Sequence, residues 1–512
     1  MRKNDASYPP KTHLTSRSLA RTQNLIYNHQ NRKEQVMQMG FLLLGLFIIL
    51  ETALAVVTLT KQKEKAAWLR NRVLVRGCEL LLFLLALLLP WAAWDFRFQL
   101  CFFLLLIRAG IALAVFFLRR RKISGCKSGI GTVLGALGSI LLLSLSLIPA
   151  FLFTGYAGLE TTGQYTVKQA SAILVDRNRT ETFETDGSYR EVPVYFYYPD
   201  TENVSSEPDH SSAEDSDTEN IPLETGFPVI IFSHGAFGYY QSNTSTYMEL
   251  ASHGYVVVSL DHPYHSFFTR DTAGRLITVD TAFLQDVMSA NEDTASEEDI
   301  LKMSHEWLSL RTEDIGFVLD SLKEAKNSAG CTETWFFPGG ETADKILDIL
   351  DMTDTENIGL MGHSLGGAAS VTVGRSRNDI DAVIDLDGTM LGEQLAFENG
   401  VCLYYEDAYP VPLLSIDNET HYLENQEAKR ANIRYVNNVV LDNALDSRHT
   451  YFRNSGHMNF TDLPLFSPAL SSLLGTGSVD ETECIRTMNA VILQYFDFYL
   501  KSKGELAIQE SY

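Results

Sequence analysis

The sequence predicts an α/β domain with a mostly parallel sheet and helices on both faces, preceded by about four transmembrane helices. Two observations carry this prediction. From Phe227 onward, short apolar runs alternate with longer helical patterns, which is the order of a parallel sheet whose strands are buried on both faces. Before residue 154, by contrast, long apolar stretches dominate the chain.

Each of these apolar stretches is compared with the roughly 20 residues that cross a bilayer core as a helix. Glu51, Glu79 and Arg108 interrupt three of them, and we expect these charges to pair inside a helix bundle. The stretches are 40–59, 73–94, 98–118 and 130–153. The sequence therefore predicts a basic tail over 1–36, a membrane region over 37–153 and the α/β domain over 154–512.

The charge of the chain is divided in the same way. Residues 1–153 carry 20 Lys and Arg against 6 Asp and Glu, whereas 154–512 carry 21 against 58, within a net charge of −23. Because a domain this acidic repels the phosphate backbone of nucleic acids, we do not expect nucleic acid as a partner.

Orientation in the membrane follows from the short loops, because Lys and Arg favour the cytoplasmic side. Residues 61–76 contain six basic residues and 119–127 contain five. With four spans, these loops share the cytoplasmic side and the α/β domain lies outside the cytoplasm. The seven basic residues of the tail favour the opposite orientation. The prediction is a multi-pass protein of the cell membrane with an extracytoplasmic domain.

Within the α/β domain, apolar and β-branched runs predict the strands, and longer periodic patterns predict the helices. An insertion over 201–226 is Ser-rich, has eight acidic residues and no Lys or Arg, and is expected to be solvated. Predicted strands are 190–198, 228–232, 255–260, 358–361, 382–386, 411–416 and 450–452, and predicted helices include 307–322 and 483–500.

The strongest motif is Gly-His-Ser-Leu-Gly-Gly, directly after the predicted strand 358–361. A G-x-S-x-G turn between a strand and a helix lifts its serine to the edge of an α/β-hydrolase sheet. Ser364 is therefore the candidate nucleophile. A glycine-rich turn without a catalytic role is the alternative interpretation.

An oxyanion hole requires two N–H donors. In the α/β-hydrolase fold one donor follows the nucleophile and the other lies in a loop after an earlier strand. Those positions are Leu365 and, in Ser-His-Gly-Ala-Phe-Gly after strand 228–232, Ala236.

The base must follow the nucleophile in the chain order of this fold. His421, His449 and His457 qualify, and His457 lies in the loop Gly-His-Met-Asn-Phe. We take His457 as the base and expect the other two to lie on the surface. For the acid that orients it, Asp387 and Asp417 both follow apolar strands, and the residues alone leave both open.

Together these segments resemble the platelet-activating factor acetylhydrolase family, which is related to dienelactone hydrolases. The resemblance rests on 233–238, the GHSLGG turn, Leu-Asp-Gly at 386–388 and Gly-His-Met-Asn-Phe at 456–460. It covers about 330 residues, from roughly Ala172 onward, and not the apolar spans or the insertion. It implies Asp387 as the acid, and it supports Ala236 and Leu365 as oxyanion donors.

The expected function is hydrolysis of a carboxylic ester, with a lipid or short-acyl ester, including a phospholipid, as substrate. A polyesterase, a thioesterase, an acyltransferase or an inactive receptor on the same fold are the alternatives. No cofactor and no metal are implied, although Asp-His-Pro-Tyr-His at 261–265 has the composition of a metal site. Arg311 and Asp314 are expected to form an ion pair on a helix face. The sequence does not indicate an oligomeric state.

Overall fold

The computed structural model describes residues 16–61, 64–89, 96–119, 124–153, 158–201, 226–292 and 294–512, with backbone only over 16–36. The chain divides into two compact units. One comprises Met1–Ala157 with Leu465–Leu470, and the other comprises Gly158–Pro464 with Ser471–Tyr512. Apart from its two end residues, the predicted acidic insertion lies outside the described residues. So do residues 1–15 of the predicted basic tail and the side chains of its remainder.

Helices form the first unit. They are α1 (Ser16–Thr60), α2 (Lys65–Ala86), α3 (Phe96–Arg119), α4 (Gly129–Ser146) and the short α5 (Ile148–Leu152). Three segments are long and apolar enough to cross a membrane, namely Met37–Thr60, Phe96–Arg119 and Gly129–Ser146. By this criterion the described residues hold three candidate spans where the sequence predicts four, because α2 carries Arg70, Arg72, Arg76 and Glu79.

The predicted span 130–153 is broken in two. Helix α4 ends at Ser146, and Pro149 lies at the start of α5. Proline has no N–H to continue the ladder of backbone hydrogen bonds, so a helix breaks or restarts beside it. The uniformly apolar composition of 130–153 does not indicate this break.

Buried charges lie inside the helical unit. Arg76 Nη1 donates to Glu79 Oε1 at 2.8 Å and also to Glu51, and Arg108 donates to Glu51. All four side chains are at most 10% exposed. The predicted pairing of Glu51, Glu79 and Arg108 is confirmed, with Arg76 as a further member, because a charge in apolar surroundings requires a partner.

A nine-stranded sheet forms the centre of the second unit, in the order β13-β12-β9-β8-β3-β4-β2-β1-β7. From β13 to β4 every neighbouring pair is parallel, and β2, β1 and β7 add antiparallel strands. These strands are β1 (Val167–Thr180), β2 (Tyr189–Pro199), β3 (Phe227–Ser233), β4 (Val256–Leu260), β7 (Trp335–Phe336), β8 (Thr353–His363), β9 (Ala382–Leu386), β12 (Leu413–Asn418) and β13 (Ser447–Phe452). Two small hairpins consist of β5 (Phe268–Arg270) with β6 (Leu276–Thr278), and β10 (Gln394–Glu398) with β11 (Val401–Tyr404).

The apolar runs of the sequence correspond to the buried strands. All residues of β3, β4, β9 and β12 are buried, as expected for parallel strands covered on both faces. The predicted run 382–386 coincides with β9. Strand β8 begins five residues before its predicted start, and β1 was not predicted, because polar residues at 353–357 and throughout β1 hide the apolar pattern.

Ten α-helices follow β2 along the described part of the chain. They are α6 (Thr244–Ser252), α7 (Thr281–Asn291), α8 (Glu297–Ser328), α9 (Ala343–Met352), α10 (Leu365–Ser376), α11 (Glu419–Arg430), α12 (Val436–Asn443), α13 (Leu463–Phe466), α14 (Pro468–Leu473) and α15 (Glu481–Lys501). Several of them, such as α8, α10 and α15, pack on the sheet. Helix α8 begins ten residues before its predicted start, because its first turn is polar. The Ser296 side chain caps that turn by accepting from the Asp299 N–H.

Candidate active site

Ser364 lies in the turn between β8 and α10. Its φ of 56° and ψ of −124° are strained for a residue with a side chain. Its N–H donates to the Leu386 carbonyl at 2.8 Å, which ties the turn to β9. A Cβ added to Gly366 would lie 2.0 Å from the Ser233 carbonyl oxygen, so this position accepts only glycine. The turn holds Ser364 half-buried at the carboxyl edge of the sheet.

The loop 233–238, which follows β3, lies beside this turn. A Cβ on Gly235 would come within 3.3 Å of Ser364 Cβ, so the absence of a side chain allows the close approach. The Ala236 and Leu365 N–H groups, which the sequence singles out as donors, have no acceptor within the described part of the chain. Both remain free to bind an external oxygen.

His457 and Asp387 lie against each other. His457 Nδ1 is 2.6 Å from Asp387 Oδ2, although 70 residues separate them. The Asp387 side chain is fully buried, whereas that of His457 is 39% exposed. His457 begins a short 3₁₀ turn after β13, and its carbonyl is 3.1 Å from Nε2 of His363, the residue before Ser364. The imidazole is therefore held at the same edge of the sheet as Ser364.

The carboxylate of Asp387 accepts several further hydrogen bonds. Asn418 donates its backbone N–H at 2.7 Å and its side-chain amide at 2.6 Å. Burial by itself raises the pKa of Asp387, but hydrogen bonds from His421 and His457 outweigh it and hold the pKa well below its usual value. Asp387 is therefore ionised at neutral pH.

Asp417, the other carboxylate that the sequence leaves open, has different partners. Its Oδ2 is 2.7 Å from His449 Nε2 and 3.0 Å from the Asn425 amide nitrogen. The structure brings Asp387 to His457, and it brings Asp417 to His449.

The expectation that His421 and His449 lie on the surface is wrong. Their side chains are 15% and 19% exposed, and each pairs with a buried carboxylate. His421 Nδ1 is 3.3 Å from Asp387 Oδ1 and its Nε2 is 3.2 Å from the Tyr435 hydroxyl. Asp387 is thus shared by two histidines, and only the three-dimensional structure reveals the second.

The expected ion pair between Arg311 and Asp314 is also wrong. Both side chains are fully buried, and they make no direct contact of 4.0 Å or less. Arg311 donates to the carbonyls of His234 and Gly235. Asp314 accepts from Arg179, Arg190 and His262. One helical turn separates the two residues, but they belong to different parts of a buried polar network.

Two clusters have the composition of metal ligands. Asp387, Asp417 and His421 lie close enough together to hold an ion. Asp387 is already bonded to His457 and Asn418, Asp417 to His449, and His421 to Tyr435. In the segment 261–265, Asp261 bonds to Tyr240 and Thr269, and His262 bonds to Ser233 and Asp314. The side chains named in both clusters thus have protein partners within the described part of the chain.

A cavity of about 510 Å³ lies elsewhere, between the β1–β2 turn, α7 and α8. Its walls include Phe183, Phe283 and Trp307, and Ser364, Asp387 and His457 do not line it. Phe237 of loop 233–238 packs on Phe283 with ring centroids 5.5 Å apart. The cavity therefore adjoins the loop but not the serine.

The mostly parallel sheet and the glycine-rich turn that places Ser364 between β8 and α10 define the class, which is an α/β-hydrolase-like domain. Comparison with known proteins gives the family. A sequence model described as platelet-activating factor acetylhydrolase, isoform II, matches residues 209–509. The chain belongs to this family.

The individual relatives are distant. Platelet-activating factor acetylhydrolase of Canis lupus familiaris is 22% identical over 297 residues, covering 55% of this chain and 59% of that protein. A probable 1-alkyl-2-acetylglycerophosphocholine esterase of Arthroderma benhamiae is 21% identical and is covered to 62%. The chain thus spans about three-fifths of the length of these relatives. Among solved structures, a ferulic acid esterase from Streptomyces cinnamoneus is 21% identical with a TM-score of 0.45, covering 68% of this chain and 93% of that one.

Proposed function

We propose that this protein is a membrane-anchored serine hydrolase of carboxylic esters, with Ser364 as nucleophile, His457 as base and Asp387 as acid. The observation that carries the proposal is the 2.6 Å contact of His457 Nδ1 with the buried Asp387 carboxylate, at the sheet edge that presents Ser364 in a strained turn. A carboxylate in that position fixes the imidazole tautomer, which leaves Nε2 free to accept a proton.

In this mechanism Ser364 Oγ forms a bond to the ester carbonyl carbon while His457 Nε2 takes the hydroxyl proton. The Leu365 and Ala236 N–H groups hold the oxyanion that develops. The bond to the alkoxy oxygen then breaks, and His457 returns its proton to the leaving alcohol. Water attacks the acyl-enzyme by the same route and releases the acid. No cofactor enters these steps.

The proposed substrates are lipid or short-acyl esters. The family assignment supports an ester at a glycerolipid, since the relative from Arthroderma benhamiae is named for a glycerophosphocholine ester. The apolar helices support the same substrate class, because an anchored enzyme meets lipid esters at high local concentration.

The proposed anchor is a bundle of four membrane-spanning helices, α1 to α4. Helix α2 packs against α1 and α3, and its buried charges face paired partners rather than lipid. The Lys65 N–H donates to the Gly125 carbonyl at 2.9 Å, and Lys127 Nζ is 3.8 Å from the Trp68 ring centroid. The start of α2 and residues 125–127 therefore lie at one end of the bundle, and both carry basic residues. This arrangement supports a cytoplasmic location for that end and an extracytoplasmic catalytic domain.

A fluorophosphonate probe tests nucleophile and sidedness together. We expect a membrane-impermeant probe to label intact cells, and Ser364→Ala to abolish both labelling and ester hydrolysis while the protein still accumulates. Labelling that appears only after permeabilisation would move the domain to the cytoplasm. Equal labelling of the Ser364→Ala variant would refute the proposed nucleophile.

A further inference from the structure

The buried surroundings of loop 233–238 contain a polar network that the proposed reaction does not use. Its centre is Arg311 of α8, which is 0% exposed. The guanidinium donates to the His234 carbonyl and, through Nη2 at 3.3 Å, to the Gly235 carbonyl. Burying an arginine carries a large desolvation cost, which its hydrogen bonds to two consecutive backbone carbonyls partly offset.

The Gly235 carbonyl is held from three directions. It accepts from Arg311, from the Gly238 N–H at 3.1 Å and from His234 Nδ1 at 2.7 Å. His234 Nε2 in turn is 2.8 Å from Ser266 Oγ. Burial and the charge of Arg311 hold the pKa of His234 well below its usual value. His234 is therefore neutral, and its Nδ1–H is the donor to this carbonyl.

The orientation of this carbonyl determines that of the Ala236 N–H, because both belong to one peptide group. A trans peptide is planar, and its C=O and N–H point in opposite directions. With the Gly235 oxygen directed to Arg311, the Ala236 N–H points away from Arg311. Gly235 itself lies beside Ser364, with 3.3 Å between its virtual Cβ and Ser364 Cβ.

A second Ser-His-Asp arrangement, which is fully buried, contacts the Arg311 guanidinium. Ser233 Oγ is 2.9 Å from His262 Nε2, and His262 Nδ1 is 2.9 Å from Asp314 Oδ2. Arg311 Nη1 is 3.5 Å from Ser233 Oγ. All of these side chains are 0% exposed, so no ester reaches this serine. Burial and the charge of Arg311 lower the pKa of His262 to about 4, so the imidazole is a neutral link in the chain.

We propose that Arg311 is a positioning residue for ester hydrolysis, which fixes the Gly235–Ala236 peptide so that the Ala236 N–H faces the developing oxyanion. The Ser233–His262–Asp314 chain holds the guanidinium in place. This inference rests on the proposed function of Ser364 and Ala236. An arginine suits the task because its planar fork serves two carbonyls at once, whereas a lysine offers one point charge.

Arg311→Lys in the full-length protein tests the proposal. Fluorophosphonate labelling to completion counts the active sites, and kcat and KM for p-nitrophenyl butyrate are then expressed per labelled site. We expect kcat to fall about 10- to 100-fold, somewhat less than the loss of a whole oxyanion donor, with KM changed by less than about twofold.

A trifluoromethyl ketone with the same acyl chain provides the readout that a merely structural role would not change. It forms a tetrahedral adduct with Ser364, so its inhibition constant should rise by the same factor by which kcat/KM falls. Arg375→Lys is the matched control, because Arg375 pairs with the buried Glu393 outside this network. The control should lower stability and leave kcat per labelled site unchanged.

Other outcomes would overturn the inference. If Arg311→Lys reduces only the number of labelled sites, or lowers kcat without weakening the ketone, Arg311 does not position the donor. If Arg311→Lys does not fold, Ser233→Ala removes one hydroxyl of the same chain and should show the same correlation at smaller amplitude. Absence of wild-type labelling at Ser364 would refute the proposed function instead, so the two failures are distinguishable.

Discussion

Asp387 is the residue at which the interactions of the site converge. Its carboxylate contacts His457, His421 and Asn418, and the charge of this buried group is stabilised by all three. Asp417, on the neighbouring strand, has His449 as its close imidazole partner. The two carboxylates therefore offer a matched pair of substitutions.

We expect Asp387→Asn to lower kcat by about 10⁴-fold, because an amide no longer fixes the imidazole tautomer or stabilises its charge. Asp417→Asn should cost less than about tenfold, since its partner is His449. Steady-state kinetics on a soluble p-nitrophenyl ester, per folded protein, measure both. A larger loss for Asp417→Asn would transfer the role of the acid to that residue.

The surroundings of His421 lead us to expect that the free energy of unfolding depends on pH. Burial opposes its protonation, but the hydrogen bond to Asp387 and the charge of Asp417 raise its pKa from 6.5 to about 11. The folded state therefore binds this proton more tightly than the unfolded state. The resulting stabilisation is fully present below about pH 6.5 and is lost as the pH rises towards 11.

We therefore expect the wild type to melt at a higher temperature than His421→Gln. This difference in melting temperature should be largest at pH 6, smaller at pH 8 and smaller again at pH 10. Thermal unfolding of the detergent-solubilised protein at these three pH values measures it. A difference that stays constant from pH 6 to 10 would contradict a protonated His421.

At the scale of elements, buried charge pairs connect α2 and α3 to α1. Arg76 of α2 donates to Glu79 of the same helix and to Glu51 of α1, and Arg108 of α3 also contacts Glu51. Opposite charges that satisfy one another inside a helix bundle specify which helices meet and in which register. The apolar residues around them carry no such information.

We expect Arg76→Leu to destabilise the helical unit by about 3 to 5 kcal/mol, because it leaves buried carboxylates without their main cation. Arg76→Leu with Glu79→Leu should recover part of this loss, since the unpaired charge is then reduced. Unfolding in detergent, followed by the fluorescence of Trp68 after the other four tryptophans are replaced by Phe, reports the change. Equal stability of the single variant and the wild type would show that the pairing contributes nothing.

At the scale of the whole molecule, the apolar helices and the acidic domain would have opposite effects on access to the proposed lipid substrate. Anchoring raises the local concentration of membrane esters. The acidic domain, with 21 basic against 58 acidic residues over 154–512, repels an anionic surface, but only within a Debye length of about 8 Å at physiological salt. Anchoring should dominate for zwitterionic lipids.

We therefore expect a shortened chain of residues 154–512 to hydrolyse soluble p-nitrophenyl esters as fast as the full protein. On short-acyl esters embedded in phosphatidylcholine vesicles it should be slower. Initial rates on both substrates, with both proteins at equal labelled sites, measure the effect. Loss on both substrates would make the helices part of the catalytic fold, and loss on neither would remove the argument for a lipid substrate.

The sequence by itself determined the features that depend on neighbouring residues. The parallel strands appear as apolar runs because both of their faces are buried, and the Ser364 turn appears as a motif because only glycine fits beside it. Its loop and the chain order also indicate His457 as the candidate base. Strand β1 and the polar first turn of α8 escaped, because their residues lack the periodicity on which such predictions rest.

Only the tertiary structure decided which polar groups meet. The residues alone left Asp387 and Asp417 open, and the family resemblance favoured Asp387, whose contact with His457 joins residues 70 positions apart. The burial of His421 and the separation of Arg311 from Asp314 were predicted wrongly for the same reason. The sequence does not distinguish a polar side chain on the surface from one in the core. Its partners depend on how distant segments pack.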